Sequence, residues 1–221
     1  MTVAGLVPCA VSDRIEPYLP RPQVVRREAA ADGSGPAFTY DLEYDRPKSI
    51  GRLRGFQGNY GVFVRSYAYV LSLGGDGLRE ASETAVLNAN YLLARLKEDG
   101  IGEHLPVAFD RLCMHEFVLS GAPMKKNLGL RTTDLAKRLL DHGHHPPTVY
   151  FPLLVDEALL IEPTETETRE TLDAFADAIA DILREGAEDP EIARNAPYTT
   201  PVRRLDEAAA AKRPVIRQPL D

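Results

Sequence analysis

One helix face is written plainly between Thr168 and Leu183, where Leu172, Phe175, Ala176, Ile179, Ile182 and Leu183 recur at helical spacing. A stripe of this kind must bury against a second layer, so the fold needs a sheet or another helix beside it. The approach Thr164-x-x-Glu167 fits a capping box and predicts how this helix starts. Two more stripes lie upstream. Val62, Phe63, Tyr67, Val70 and Leu71 predict a helix over 59–73, and Leu78, Ala85, Ala89, Leu92 and Leu96 predict one over 78–96. Gly74-Gly75-Asp76-Gly77 reads as the turn between them. The second half then alternates. Strands are predicted at 114–119, 148–151 and 158–161, with a helix over 132–140 capped by Thr132. Residues 1–45 read as irregular, apart from a short turn at 12–19 broken by Pro17, Pro20 and Pro22. After Glu185 a polar, proline-punctuated tail is expected to wrap a surface. The fold class is α/β: a helical segment, then a small α/β domain with a mostly antiparallel sheet.

Charge is distributed unevenly. From Arg46 to Gly75 there are five basic side chains (Arg46, Lys48, Arg52, Arg54 and Arg65) and no acidic one, in a chain of net charge −7. The remainder therefore carries about −12. A basic stretch containing Ser49, Gly51, Gly55 and Gly58 has the parts of an anion pocket, because glycine lets backbone N–H groups approach a phosphate or carboxylate and Arg supplies a planar fork. The alternative is a solvated loop whose arginines pair with carboxylates elsewhere. The acidic balance argues against nucleic acid as a partner. No run of about 18 apolar residues suggests a membrane span, and Met1 to Val7 does not read as a signal peptide. With only Cys9 and Cys113 there is no disulfide framework, and the chain reads as cytoplasmic.

Other clusters have structural readings. His142, His144 and His145 could offer metal ligands together with His115 and Glu116, yet they fall at a predicted helix C-terminus, where the dipole favours histidine; no metal is expected. His115 on a strand would share a face with Phe117, either lining a cleft or bonding to backbone. Glu162, Glu165 and Glu167 precede a helix, where carboxylates are stabilised electrostatically. No nucleotide loop, catalytic Ser-His-Asp order or dinucleotide fingerprint is present, so no NAD site is expected.

Six blocks carry a family resemblance: Asp45-Arg-Pro-Lys-Ser-Ile-Gly-Arg-Leu-Arg-Gly-Phe-Gln-Gly-Asn59, Ala85-Val-Leu-Asn-Ala-Asn-Tyr91, Met114-His-Glu-Phe117, His145-Pro-Pro-Thr-Val-Tyr-Phe-Pro152, Glu162-Pro-Thr-Glu-Thr-Glu167 and Thr200-Pro-Val-Arg-Arg-Leu-Asp206. In order and spacing they resemble the C-terminal half of the glycine cleavage system P-protein, in particular subunit 2 of its split form. The resemblance implies the C-terminal part of a fold-type-I transferase. Residues 1–58 would be a remnant of the large domain with connecting loops, 59–100 linking helices, and 101–221 the small α/β domain and tail. It implies pyridoxal phosphate as cofactor, serving as electron sink while CO₂ leaves glycine, and a lipoylated H-protein that accepts the aminomethyl group. It also implies an N-terminal portion or subunit 1 as partner, in a homo- or hetero-oligomer.

In that family the Schiff-base lysine lies just upstream of the segment resembling Val7 to Asp13. None of Lys48, Lys97, Lys125, Lys126, Lys137 and Lys212 sits in its context, so no catalytic residue is assigned and the chain alone is expected to be inactive. Ser49, Gly51 and Arg52 are the expected cofactor-side anion contacts, and Arg54, Asn59 and His115 the expected lining of the substrate or lipoyl cleft. The alternative is a non-catalytic fragment acting as an assembly module or without function.

Overall fold

A computed structural model describes residues 11–28, 37–53, 59–98 and 100–217. The chain divides at Gly74–Gly75 into two compact units.

In the first unit a 3-10 turn, Glu16–Tyr18, matches the predicted short turn. The irregular reading of 1–45 is otherwise corrected: β1 (Gln23–Glu28) and β2 (Phe38–Glu43) pair antiparallel, with Gln23 opposite Glu43 and Glu28 opposite Phe38. The alternation Phe38, Tyr40, Leu42 is the signal that points to β2. The helical element α1 (Tyr60–Glu98) begins in this unit and continues into the next. Asn59 caps it, its side-chain oxygen accepting from the Val62 N–H at 3.4 Å. The predicted four-residue turn contracts to one residue. Gly74 alone leaves the helical region, at φ 63°, ψ −172°, a conformation that glycine adopts without a Cβ penalty.

The second unit holds the core. After α1 come β3 (Phe117–Ser120), α2 (Ala122–Leu128), α3 (Thr132–Asp141), β4 (Thr148–Val149), β5 (Ala158–Ile161), α4 (Arg169–Glu188), α5 (Pro190–Arg194) and α6 (Glu207–Lys212). The sheet order is β3-β5-β4, antiparallel throughout, with Phe117 opposite Ile161 and Thr148 opposite Leu160. Consecutive residues of β3 and β5 are buried, so the sheet is covered on both faces. Leu92 and Leu96 of α1, Leu135 and Leu139 of α3, and Leu172, Ile179 and Ile182 of α4 close over Leu119 and Leu159. The predicted stripe of α4 is thus the centre of the core.

Three sequence expectations shift. The first strand begins at Phe117, which leaves Met114, His115 and Glu116 outside it. Thr132 is the first residue of α3, not its cap. Arg131 occupies the cap position, its N–H donating to the Asp134 carboxylate at 2.8 Å. The cap of α4 is Thr168, whose hydroxyl accepts from the Thr171 N–H at 3.3 Å, rather than Thr164. The reason is a long-range grip. The Asn88 side-chain amide donates to the carbonyls of Thr164 at 2.9 Å and Glu167 at 3.1 Å, holding that stretch as a separate turn ahead of the helix.

The tail is pinned as expected. Asp141 accepts from the N–H groups of Tyr198 (2.6 Å) and Thr199 (2.8 Å), and Arg204 donates to the carbonyls of Ala196 and Ala193 while pairing with Asp134 at 2.7 Å. No described helix is long and apolar enough to cross a membrane.

Candidate functional site

The basic stretch folds into a tight loop in which most polar atoms are already engaged. The Ser49 hydroxyl donates to the Leu19 carbonyl at 2.6 Å and accepts from the Gly51 N–H at 3.1 Å. Gly51 adopts φ +105°, and its carbonyl accepts from the Arg21 N–H at 3.0 Å. Arg46, with only 9% of its side chain exposed, pairs with Glu16 and Glu43 and donates to the Glu16 carbonyl at 2.7 Å. A cavity of about 260 Å³ beside it is lined by Glu16, Glu43 and Asp45 as well as Arg46 and Lys48. Its lining carries three carboxylates against two cations. Arg52 is exposed at the end of the loop, and Arg54 lies outside the described residues.

Gly51 sets the loop's path. An added Cβ would meet nothing within 4 Å, so the penalty for a side chain there is purely conformational. Gly51→Ala is expected to destabilise the loop by about 1–2 kcal/mol. Faster limited proteolysis of the segment around Arg46 to Leu53 is the readout.

In the second unit, α1 organises a polar ledge at the end of the sheet where β3 begins and β5 ends. Asn90 clamps the backbone of one residue with both ends of its amide: Nδ2 donates to the Cys113 carbonyl at 2.8 Å, and Oδ1 accepts from the Cys113 N–H at 3.1 Å. That clamp fixes the approach to β3 on which His115 sits. His115 Nε2 stands 3.9 Å from Glu162 Oε1, both side chains about half exposed. This is an ion pair only when the imidazole is protonated. Burial pushes the Cys113 thiol up, which keeps it protonated and unreactive at neutral pH.

At the next position of α1, the Tyr91 hydroxyl donates to Asp173 at 2.6 Å, and Arg95, one turn on, reaches the same carboxylate at 3.2 Å. The Tyr91 hydrogen bond, with Arg95 and Arg169 adding to it against the opposing effect of burial, holds the Asp173 carboxyl below the ordinary range. Asn88 and Asn90 are the residues that single-site reasoning missed. Their signal was the Asn-x-Asn spacing within the Ala85 to Tyr91 block, which sets two amides about 200° apart on one helix, one for the 164–167 turn and one for Cys113.

The histidine cluster sits where expected, at the end of α3. His142 is the C-cap residue, and His144 packs edge-on to Phe175 with ring centroids 5.5 Å apart. Burial, with the neighbouring His142, pushes its pKa down, so the ring is neutral at neutral pH. Among the described residues no group of three or more His, Cys, Asp or Glu side chains could hold a metal ion.

Two of the lysines are engaged by carboxylates. A lysine that forms a Schiff base needs a depressed pKa. Lys125 instead donates to Glu157 at 2.6 Å, and that hydrogen bond raises its pKa. Lys97 pairs with Asp110 at 2.7 Å, and Lys48, Lys126 and Lys212 are exposed.

Comparison with known proteins fits this picture. Residues 81–199, more than half of the chain, match the family model "Glycine dehydrogenase, C-terminal domain". The chain is 50% identical over 212 residues to the probable glycine dehydrogenase (decarboxylating) subunit 2 of Desulforamulus reducens, covering 96% of this chain and 41% of that protein. With the Bacillus velezensis protein of the same description, identity is 52% over 213 residues, covering 96% and 40%. The chain thus spans about two fifths of the length of these curated relatives. Among solved structures, the P-protein glycine decarboxylase of the glycine cleavage system, in inhibitor-bound form, superposes with a TM-score of 0.57 at 20% identity, over 72% of this chain and 35% of that one. That likeness shows a shared fold. With its core helix α4, its antiparallel sheet and its ledge of paired asparagines all inside the matched region, the chain belongs to the glycine dehydrogenase C-terminal-domain family.

Proposed function

We propose that this chain works as the C-terminal part of a pyridoxal-phosphate-dependent glycine decarboxylase, joined to an N-terminal portion or to subunit 1, and that the assembly passes the aminomethyl group to a lipoylated H-protein. The observation that carries this reading is about 50% identity maintained over 96% of the chain with relatives described as subunit 2. In it the cofactor is held mainly by residues of the partner portion, in keeping with the engaged state of Lys125 and Ser49. This chain contributes surfaces around the cleft.

The residue roles follow from chemistry. Arg52 offers an exposed guanidinium for a phosphate or carboxylate, and Ser49 and Gly51 shape the loop that presents it. Arg54 stands with it as a candidate cleft residue. Asn59 fixes the start of α1, and His115 stands beside Glu162 as a candidate cleft residue.

The test is release of labelled CO₂ from carboxyl-labelled glycine. The full chain is mixed with the portion of the Desulforamulus reducens subunit 2 that it does not match, that organism's subunit 1, pyridoxal phosphate and lipoylated H-protein. No release from the chain alone and clear release from the mixture are expected. A mixture no more active than the same components without the chain overturns the reading.

A further inference from the structure

The first unit presents apolar surface and buries almost none. Every residue of the core cluster lies at Ala89 or beyond, and among described residues 11–74 only Pro22 is buried. Within the helical stretch 60–73 the largest side chains face outward: Tyr60 is 82% exposed, Phe63 39%, Val64 48%, Tyr67 68%, Val70 46% and Leu71 63%. These positions recur at i, i+3, i+4, i+7, i+10 and i+11, which places them on one face. The only charged residue of the stretch is Arg65, so covering this face desolvates almost no charge.

A helix of this length is marginal in water without tertiary cover, and a continuous apolar face of this kind marks a contact surface. We propose that this face docks the part of a glycine dehydrogenase subunit 2 that the present chain does not match. The proposal rests on the functional reading above and deepens it by naming the surface.

Two observations select that occupant. The family model begins at residue 81, so the stripe lies outside the C-terminal domain proper, and the relatives carry roughly three fifths of their length beyond the matched portion. Area argues against a second copy of the same face. A strip about 20 Å long and 10 Å wide, laid against its twin, buries roughly 400 Å² in total, well under the ~1,200 Å² of a stable specific interface. A larger folded body can cover the helix together with the exposed Tyr40 and Leu42 of β2 in the same unit.

The experiment measures binding of the full chain to the unmatched portion of the Desulforamulus reducens subunit 2, by interferometry, with pyridoxal phosphate present. The double variant Phe63→Glu/Tyr67→Glu is expected to bind at least ~100-fold more weakly, because two anchors of a buried face become charged. Phe63→Leu/Tyr67→Phe should retain binding. Wild-type far-ultraviolet circular dichroism and wild-type resistance of residues 60–73 to limited proteolysis show that the first unit of the double variant is folded. Wild-type affinity in the double variant overturns the proposal, as does absence of binding by the wild type. Self-association of the wild type that the double variant loses, without binding to the added portion, overturns it in favour of a second copy. Cofactor absorbance separates this idea from the functional reading. Binding that depends on the stripe but brings no cofactor band keeps the docking face and removes the decarboxylase assignment. A cofactor band that survives in the double variant does the reverse.

Discussion

Glu157→Ala is expected to lower the stability of the second unit by about 3 kcal/mol. Glu157 is 6% exposed and sits at φ 47°, so its backbone as well as its side chain is committed. Its carboxylate accepts from the Thr132 N–H and hydroxyl, each at 3.1 Å, and from Lys125 at 2.6 Å. It thereby supplies from outside an acceptor for the Thr132 N–H, at the positive end of the helix dipole, beside the one that Asp134 gives Arg131. Its carbonyl accepts from Gly121 N–H at 2.9 Å and from the Thr132 hydroxyl at 2.8 Å, tying the β3–α2 corner to α3. Removing the side chain leaves a buried donor without a partner. Urea denaturation of wild type and variant measures the loss, and a difference below about 1 kcal/mol would sink this account.

The same site sets an acid limit. Burial pushes the Glu157 carboxyl up, but the Lys125 and Thr132 hydrogen bonds outweigh it and the net shift is downward from 4.5. Asp141 behaves alike: burial raises it, and the N–H groups of Thr199 and Tyr198, the Thr199 hydroxyl and Arg138 bring it below 3.8. Groups depressed in the fold contribute stability that is complete above the unfolded values and is lost as pH falls through the folded ones. Stability should therefore be flat with respect to these two groups near neutrality and fall on acidification below about pH 4.5. Glu157→Gln should flatten part of that slope.

Ile179→Ala is expected to cost about 3–4 kcal/mol. Ile179 is 0% exposed and lies on the buried stripe of α4, in one core cluster with Leu92, Leu139 and Leu159. Packing from α1, α3 and β5 leaves little room for collapse into the cavity. The urea midpoint should drop with an unchanged slope. Phe63→Ala, in the first unit and 39% exposed, should leave that midpoint unmoved.

What was legible in the chain follows interaction range. The stripe of α4 and the two stripes of α1 were readable because helical periodicity is local, and every member of the α4 set other than Phe175 is indeed buried. The family blocks were readable because identity over 96% of a chain leaves a pattern that needs no coordinates. The pairing of β1 with β2 escaped because the alternation Phe38, Tyr40, Leu42 marks one strand but not its partner, which is chosen through backbone groups. His115 was assigned to a strand from its neighbours, yet the ladder starts two residues later, where Phe117 meets Ile161.

The sequence by itself determined α1, α3 and α4, the approximate positions of the three strands of the small sheet and the family. Only the tertiary structure decided the turn at Thr164, held by Asn88 from 76 residues away, the start of α3, capped by Glu157 from 25 residues away, and the fate of the basic loop, whose Arg46 is neutralised by Glu16 from 30 residues away. Periodicity is written into each element, whereas a buried polar group takes whichever partner the fold brings within hydrogen-bonding distance.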